Sequence, residues 1–255
     1  MRSSHDRQDR GHPPGHRRQQ RIRWGVPLVT IDQQSKFLGY QTEDVGEYSR
    51  IEERSRLSYF FPYAKARYAV SFYPVETARD RDYTVKLVPA PVRKEILNLQ
   101  RKKSPPREKH GRLVVVYFSP YGPLAQEPAD ILDVLAGFKD SRFILYANSA
   151  DFDGHSRAAC EHIRFKTFNR QTFARDLASA SCLISTAGHT LLSEAIYLKI
   201  PVYTIPLSTY DQHYCGRTVE RYRIGMYSSR ITRQRLEHFS RTRGLSKKSR
   251  FAVHG

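Results

Sequence analysis

The chain has 255 residues, 39% of them hydrophobic, and a formal net charge of +18. That is enough to bury one or two hydrophobic cores. No apolar run approaches the ~20 residues that a membrane-spanning helix needs, and the Arg/Gln/His-rich opening has no apolar stretch that would make it a secretory signal. The charge is unevenly spread. Residues 1–24 hold seven Arg against two Asp and residues 221–255 hold ten Lys/Arg against one Glu, which leaves +4 for everything between. The basicity is therefore expected in two tails, where it can meet phosphate, anionic lipid or only water. Cys160, Cys182 and Cys215 are odd in number and lack metal-like spacing, as expected of reduced thiols in a cytoplasmic protein.

In chain order, residues 1–23 are almost devoid of apolar side chains and are expected to form a disordered basic tail. "GVPLVTID" (25–32) reads as a turn and a buried strand, and residues 49–66 as a helix that Pro62 must kink or end. "RYAVSFYPV" (67–75) and "TVKLVPAPV" (84–92) read as strands and "RKEILNL" as a short helix, before a charged double-proline linker at 100–111. From residue 112 the pattern becomes regular. "LVVVYF" (113–118) is the continuous β-branched run of a strand covered on both faces. "PADILDVLAGF" reads as a helix, "RFILYAN" (142–148) as a strand and "SRAACEH" as a short helix. "IRFKTF" (163–168) is an expected strand, "RQTFARDLASA" (170–180) a helix, "CLISTA" (182–187) a strand and "TLLSEAIYL" (190–198) a helix. "PVYTIPL" (201–207) is the next strand and "DQHYCGRTVERY" (211–222) the next helix. Strict β/α alternation with short connections predicts a Rossmann-like, doubly wound parallel sheet.

In such a sheet, ligands bind where the carboxyl ends of strands meet helix N-termini. "CLISTA" ends at Gly188, and a glycine before a helix lets an anion approach the backbone N–H groups and the positive end of the helix dipole. Glu194, one turn further in, suits the vicinal hydroxyls of a ribose. Asp211 and Gln212 follow the next strand, and their acceptor oxygens and amide donors suit sugar hydroxyls. Taken singly, each residue has a plainer role: Gly188 as a turn residue, Glu194 as an exposed helical carboxylate, Asp211 as an N-cap.

Together these residues carry a resemblance. "STAGHTLLSEAIYLKIPVYTIPLSTYDQH" (185–213) resembles the donor-binding signature of GT-B glycosyltransferases. The branch concerned contains the UDP-N-acetylglucosamine transferase of peptidoglycan lipid II synthesis and cell-wall or teichoic-acid-type relatives. The counterparts here are Ser185, Ala187, Gly188, Ser193, Glu194 and Ala195, then Pro201, Pro206, Asp211 and Gln212. The resemblance implies donor diphosphate at Gly188, His189, Thr190 and Ser119, ribose on Glu194, the base near Phe168, and donor sugar near Asp211 and Gln212. His189 is expected to donate a hydrogen bond to the ligand. The chain departs from the family pattern at Thr186, Pro120 and Cys215, where relatives often carry His, Gly and Asn.

The domain organisation implied is a disordered tail (1–23), a partial acceptor-side GT-B domain (24–99), a linker (100–111), a donor-binding domain (112–241) and a basic tail (242–255). The acceptor side looks truncated, which implies either a shortened gene or a partner chain that supplies the rest. The expected function is transfer of a sugar from a UDP-sugar to a lipid-linked or cell-envelope acceptor, with inversion, without metal or cofactor. The expected location is the cytoplasm, with contact to anionic membrane. No catalytic base is identified; Asp32 faces the expected cleft, but an acidic cap is its simpler role. The competing functions are a non-catalytic or partner-dependent nucleotide-sugar-binding fragment, a UDP-sugar epimerase and a basic nucleic-acid-binding protein. The last needs its charge on a folded face with aromatic stacking positions, and the charge is expected in tails.

Overall fold

The computed structural model describes residues 28–61, 64–76, 84–99, 112–119, 126–146 and 160–243. The expected N-terminal tail, the 100–111 linker and residues 244–255 lie outside these. The first part builds a three-stranded parallel sheet from β1 (Val29–Asp32), β2 (Ala66–Ser71) and β3 (Val85–Pro89), in the order β1-β2-β3. Between β1 and β2 come the short helix α1 (Lys36–Gly39), absent from the sequence expectations, and α2 (Arg50–Phe60). Ser49 starts α2 by accepting from the N–H groups of Ile51 and Glu52. Phe37, Leu38, Leu57, Ala69 and Val85 close a small core under this sheet. β1 is one of the two edge strands, and its Val29 and Ile31 are 52% and 73% exposed. α3 (Lys94–Leu97) then leads away, its Ile96 buried in the core of the second sheet.

That second sheet has six strands: β4 (Arg112–Tyr117), β5 (Ser141–Tyr146), β6 (Ile163–Phe165), β7 (Cys182–Ser185), β8 (Val202–Thr204) and β9 (Gly225–Tyr227). Their order is β6-β5-β4-β7-β8-β9, and every pairing is parallel. The period of two along each strand sorts side chains between two cores. Val115, Leu183 and Val202 face Phe173 and Leu177 of α5 (Arg170–Ser179), Leu192 and Ala195 of α6 (His189–Tyr197), and Cys215 and Val219 of α7 (Tyr210–Arg221). Val114, Val116, Ile184 and Tyr203 face the other way, onto Ile131 and Leu135 of α4 (Pro128–Ala136) and Leu236 and Phe239 of α8 (Arg233–Arg243). Each such burial contributes about 1.5–3 kcal/mol. The β-branched run of β4 is covered on both sides, as its composition predicts. β9 opens on Gly225 because a β-carbon there would stand 1.8 Å from the carbonyl oxygen of Val202 on β8.

The basic C-terminal end corrects an expectation. The charge of residues 221–241, expected in a tail, sits instead on and beside β9 and α8, within the expected 112–241 domain. Ile231, Leu236 and Phe239 are buried while Arg233, Arg235 and Arg241 of α8 are exposed, so the high charge masked an amphipathic helix. The charge criterion used against nucleic-acid binding therefore fails for this segment. Aromatic stacking positions are sparse there: Phe239 of α8 is 2% exposed, and Tyr222, ahead of β9, is 41% exposed. Two shorter differences appear nearby. The strand expected at 163–168 ends at Phe165, and of the helix expected in "SRAACEH" residues 160–162 are not helical while 156–159 lie outside the described residues. No described helix is long and apolar enough to cross a membrane.

α7 joins the two sheets. Its Tyr210 and Tyr214 pack into the small core beside Phe37 and Tyr73, while Cys215 and Val219 belong to the large one. All three cysteines are free thiols.

Candidate active site

Strand order reverses between β4 and β7, and the loops leaving these two neighbours define a crevice at their carboxyl ends. Tyr117 pairs with Ser185 across the seam, so Ser119 and Gly188 follow it on adjacent strands. Gly188 caps α6 with φ −67° and ψ 125°, a conformation open to any residue, and a β-carbon there would meet nothing within 4 Å. Neither backbone strain nor packing asks for glycine. The role of Gly188 as a turn residue, although its N–H does reach Thr186 O at 2.8 Å, does not explain the missing side chain. What a side chain would fill is the open space before the helix.

α6 also lacks a side-chain cap. α2, α5 and α7 are each capped, by Ser49, Asn169 and Thr209, whereas α4, like α6, has no side-chain cap. The first N–H groups of α6 thus have neither intrahelical partners nor a capping oxygen. His189 is 2% exposed beneath Phe72, with ring centroids 4.9 Å apart, and its Nε2 has no hydrogen-bond partner among the described residues. Burial, helped by the charge of Lys36, pushes His189 down to about 2, so the imidazole is neutral. Thr190 is exposed at the same turn.

Beyond Ser119, which is half-buried, Phe168 stands 47% exposed at the edge of an aromatic cluster with Tyr117, Tyr146 and Phe173. Tyr146 is held by a 2.6 Å bond to Asp176, which also takes Lys166 at 2.6 Å. Burial pushes the Tyr146 phenol well above its ordinary range.

Glu194 is not an exposed helical carboxylate. Its side chain is 1% exposed and accepts two bonds from Arg93, Nε to Oε1 at 2.5 Å and an Nη to Oε2 at 2.7 Å. Arg93 precedes α3, is 27% exposed, and lies over the ring of Phe173 at 5.7 Å. Asp211 is not the N-cap of α7 either, since Thr209 is. Its carboxylate turns to the three-stranded sheet, where Gln33 Nε2 donates to Oδ2 at 3.1 Å and Lys36 Nζ lies 3.6 Å from Oδ1. Gln212 Oε1 accepts from Leu207 N at 2.9 Å, which anchors the loop after β8. Several residues of the motif serve packing: Ala187 and Ala195 are fully buried, and Ser193 bonds back to His189 O.

Arg93, Lys36 and Gln33 were not among the candidates from sequence. Arg93 and Glu194 are 101 residues apart, and Gln33 and Asp211 178 apart, so no local pattern marks either pair.

Comparison with known proteins adds one deciding match: the glycosyl transferase family 1 model covers residues 20–242. The chain belongs to glycosyl transferase family 1. Among solved structures the chain is similar to MurG of Acinetobacter baumannii, at 13% identity and a TM-score of 0.54 over 86% of this chain and 58% of that one. It is similar to a UDP-glucose: anthocyanidin 3-O-glucosyltransferase in complex with UDP, at 12% identity and 0.58 over 88% and 63%. A third is the glycotransferase of kitacinnamycin, at 14% identity and 0.53 over 72% and 47%. No curated protein gives a significant match. The chain spans roughly half to two thirds of the length of these three structures. At such identities the likeness concerns the fold, which is the GT-B arrangement expected from residues 185–213. The carboxylate of Asp32 is committed to the turn after β1, accepting from Gln34 N, Ser35 N and Ser35 Oγ. Its role there is structural, shaping the turn ahead of α1, whose N-cap is Ser35.

Proposed function

We propose that the chain binds a UDP-sugar at the β4/β7 crevice and serves sugar transfer, with inversion, to a lipid-linked or cell-envelope acceptor. The observation that carries this is Gly188: a glycine required by neither φ nor packing, in front of an uncapped helix at the switch point. When the glycosidic bond breaks, negative charge gathers on the departing diphosphate. The free N–H groups and dipole of α6 stabilise it there, and His189 and Ser119 flank the same position. Phe168 offers a face for the uracil ring, Glu194 a carboxylate for the ribose diol once Arg93 yields it, and Asp211 and Gln212 polar groups for the sugar. The proton of the acceptor hydroxyl goes to a base outside this set. The open strand β1, with exposed Val29 and Ile31, suits an acceptor-binding α/β unit that extends the small sheet. The exposed Arg233, Arg235 and Arg241 of α8 suit contact with the anionic inner face of a membrane, where such acceptors lie.

The test is calorimetry with UDP against ADP, GDP and TDP, on the wild type and on Gly188→Val. UDP should bind most tightly, and the variant should lose at least tenfold, or about 1.4 kcal/mol, while melting near the wild-type temperature. Wild-type affinity in a folded Gly188→Val would sink the assignment.

A further inference from the structure

We propose that Lys36 is a positioning residue for the donor sugar, reaching from the side of the three-stranded sheet to hold the Asp211 carboxylate as a hydrogen-bond acceptor for a sugar hydroxyl. This rests on the assignment of Asp211 to the sugar made above.

A lysine is almost never fully buried unless paired, and Lys36 is 0% exposed. Its ammonium donates to Gln33 O at 2.8 Å, lies 3.6 Å from Asp211 Oδ1, and is flanked by the rings of Phe37 at 4.6 Å and Tyr73 at 5.6 Å. A buried ion pair of this kind adds little net stability, because desolvation of both charges offsets their attraction, and an apolar side chain of the same volume often serves a core equally well. The position next to Phe37 and Tyr73 would accept one. The ammonium is therefore better explained by what it does to Asp211.

The groups facing that carboxylate are few. From the β1–α1 loop comes Gln33, from the first position of α1 Lys36, from α2 Glu53 and Arg56, after β2 Tyr73, and on α7 Cys215. Burial pushes the Asp211 carboxyl up and Glu53 adds to the push, while Lys36 and the Cys215 thiol oppose it. Arg56 is committed to Glu53 by bonds of 2.7 and 2.8 Å. Lys36 is thus the one ammonium or guanidinium in direct contact with Asp211 among the described residues. Without it, burial and Glu53 would drive the carboxylate to its neutral acid, which accepts poorly. With it, Oδ1 is turned to Lys36 and Oδ2 to Gln33. The Cys215 thiol also donates to Oδ1, at 3.9 Å, and a carboxylate has about four lone-pair sites, so one remains for a sugar hydroxyl. The same ammonium also lowers the basicity of His189, which places it between the sugar end and the diphosphate end of the crevice.

The experiment measures, by calorimetry from pH 8 to pH 6, how much more tightly UDP-N-acetylglucosamine and UDP-glucose bind than UDP. The proteins are the wild type, Asp211→Asn, Lys36→Met, Lys36→Gln and Lys36→Arg. The wild type should show a sugar-dependent gain that is flat with pH and lost in Asp211→Asn. Lys36→Met and Lys36→Gln should keep UDP affinity within about twofold, lose the gain near pH 6, and recover part of it as pH rises and Asp211 ionises. Lys36→Arg should keep it. A folded Lys36→Met with the wild-type gain at every pH would overturn the role of Lys36 and leave the sugar site standing. A wild type with no sugar-dependent gain, or an Asp211→Asn that keeps it, would overturn the sugar site itself. If neither neutral variant folds, the wild-type profile decides: a gain that fades towards pH 6 means Lys36 does not keep Asp211 charged.

Discussion

Arg93→Met separates two roles of Glu194, as a structural anchor and as a ribose ligand. Both carboxylate oxygens are taken by Arg93 at 2.5 and 2.7 Å, and the Glu194 side chain is 1% exposed against 27% for Arg93. The burial difference makes the two ends of the pair unequal. Removing Arg93 leaves a negative charge with no water and no cation, which costs about 3–5 kcal/mol. Glu194→Gln leaves a guanidinium that can turn to solvent and an amide oxygen that still accepts, so its cost is about 1–3 kcal/mol. Urea titration should therefore rank Arg93→Met below Glu194→Gln by ~2 kcal/mol. Nucleotide affinity should move the other way. With Arg93 gone, a ribose diol meets an unclaimed carboxylate, and UDP should bind Arg93→Met about tenfold more tightly, a gain of about 1.4 kcal/mol. Calorimetry on the same preparations reads this directly. Equal destabilisation by the two variants would refute the burial argument, and unchanged UDP affinity in Arg93→Met would refute the ribose role of Glu194.

Three further outcomes are expected. Phe168→Ala, at a position 47% exposed, should barely change stability but weaken UDP by about 1–3 kcal/mol, the usual value of a base stacked on an aromatic ring; equal UDP affinity would remove Phe168 from the site. His189 is neutral when folded because its basicity is pushed down to about 2, so the unfolded chain takes up its proton first as pH falls below 6.5. Its contribution is complete above pH 6.5 and should fall by about 1.4 kcal/mol per pH unit on the way down; urea titrations at pH 7 and pH 5 should show a loss near 2 kcal/mol that His189→Gln lacks, and matching slopes in both proteins would contradict this. Phe239→Ala should destabilise by about 3–5 kcal/mol, because α8 is part of the large core and not a tail; a change under ~0.5 kcal/mol, typical of a surface site, would restore the tail.

The parts of the fold legible in sequence were those whose physics is local. The valines of β4, the apolar spacing of α5 and α6, and the Gly-to-Glu interval each fix period, face or helix start within a few residues. α8 was obscured because its arginines outnumber the three apolar residues that seat it, and charge counting averages over faces that burial keeps apart. α1 was missed because four residues of helix carry almost no periodic signal. At the site, Gly188, His189 and Thr190 fall on one helix turn and so were visible as a motif. Their long-range partners were not. Nothing near Arg93 or Lys36 in the chain announces a carboxylate on another helix, and both are of a residue type that sequence alone assigns to the surface.

The double membership of α7 bears on how the molecule comes apart. One side of this helix is Tyr210 and Tyr214, inside the small core; another is Cys215 and Val219, inside the large one. Melting either sheet exposes apolar surface on the helix that the other still needs. The two sheets consequently share one unfolding event rather than two, and calorimetric and van't Hoff enthalpies should agree across a single endotherm. For the same reason the joint between them is no flexible tether: a motion that opens the crevice has to carry α7 along with one side and slide it against the other.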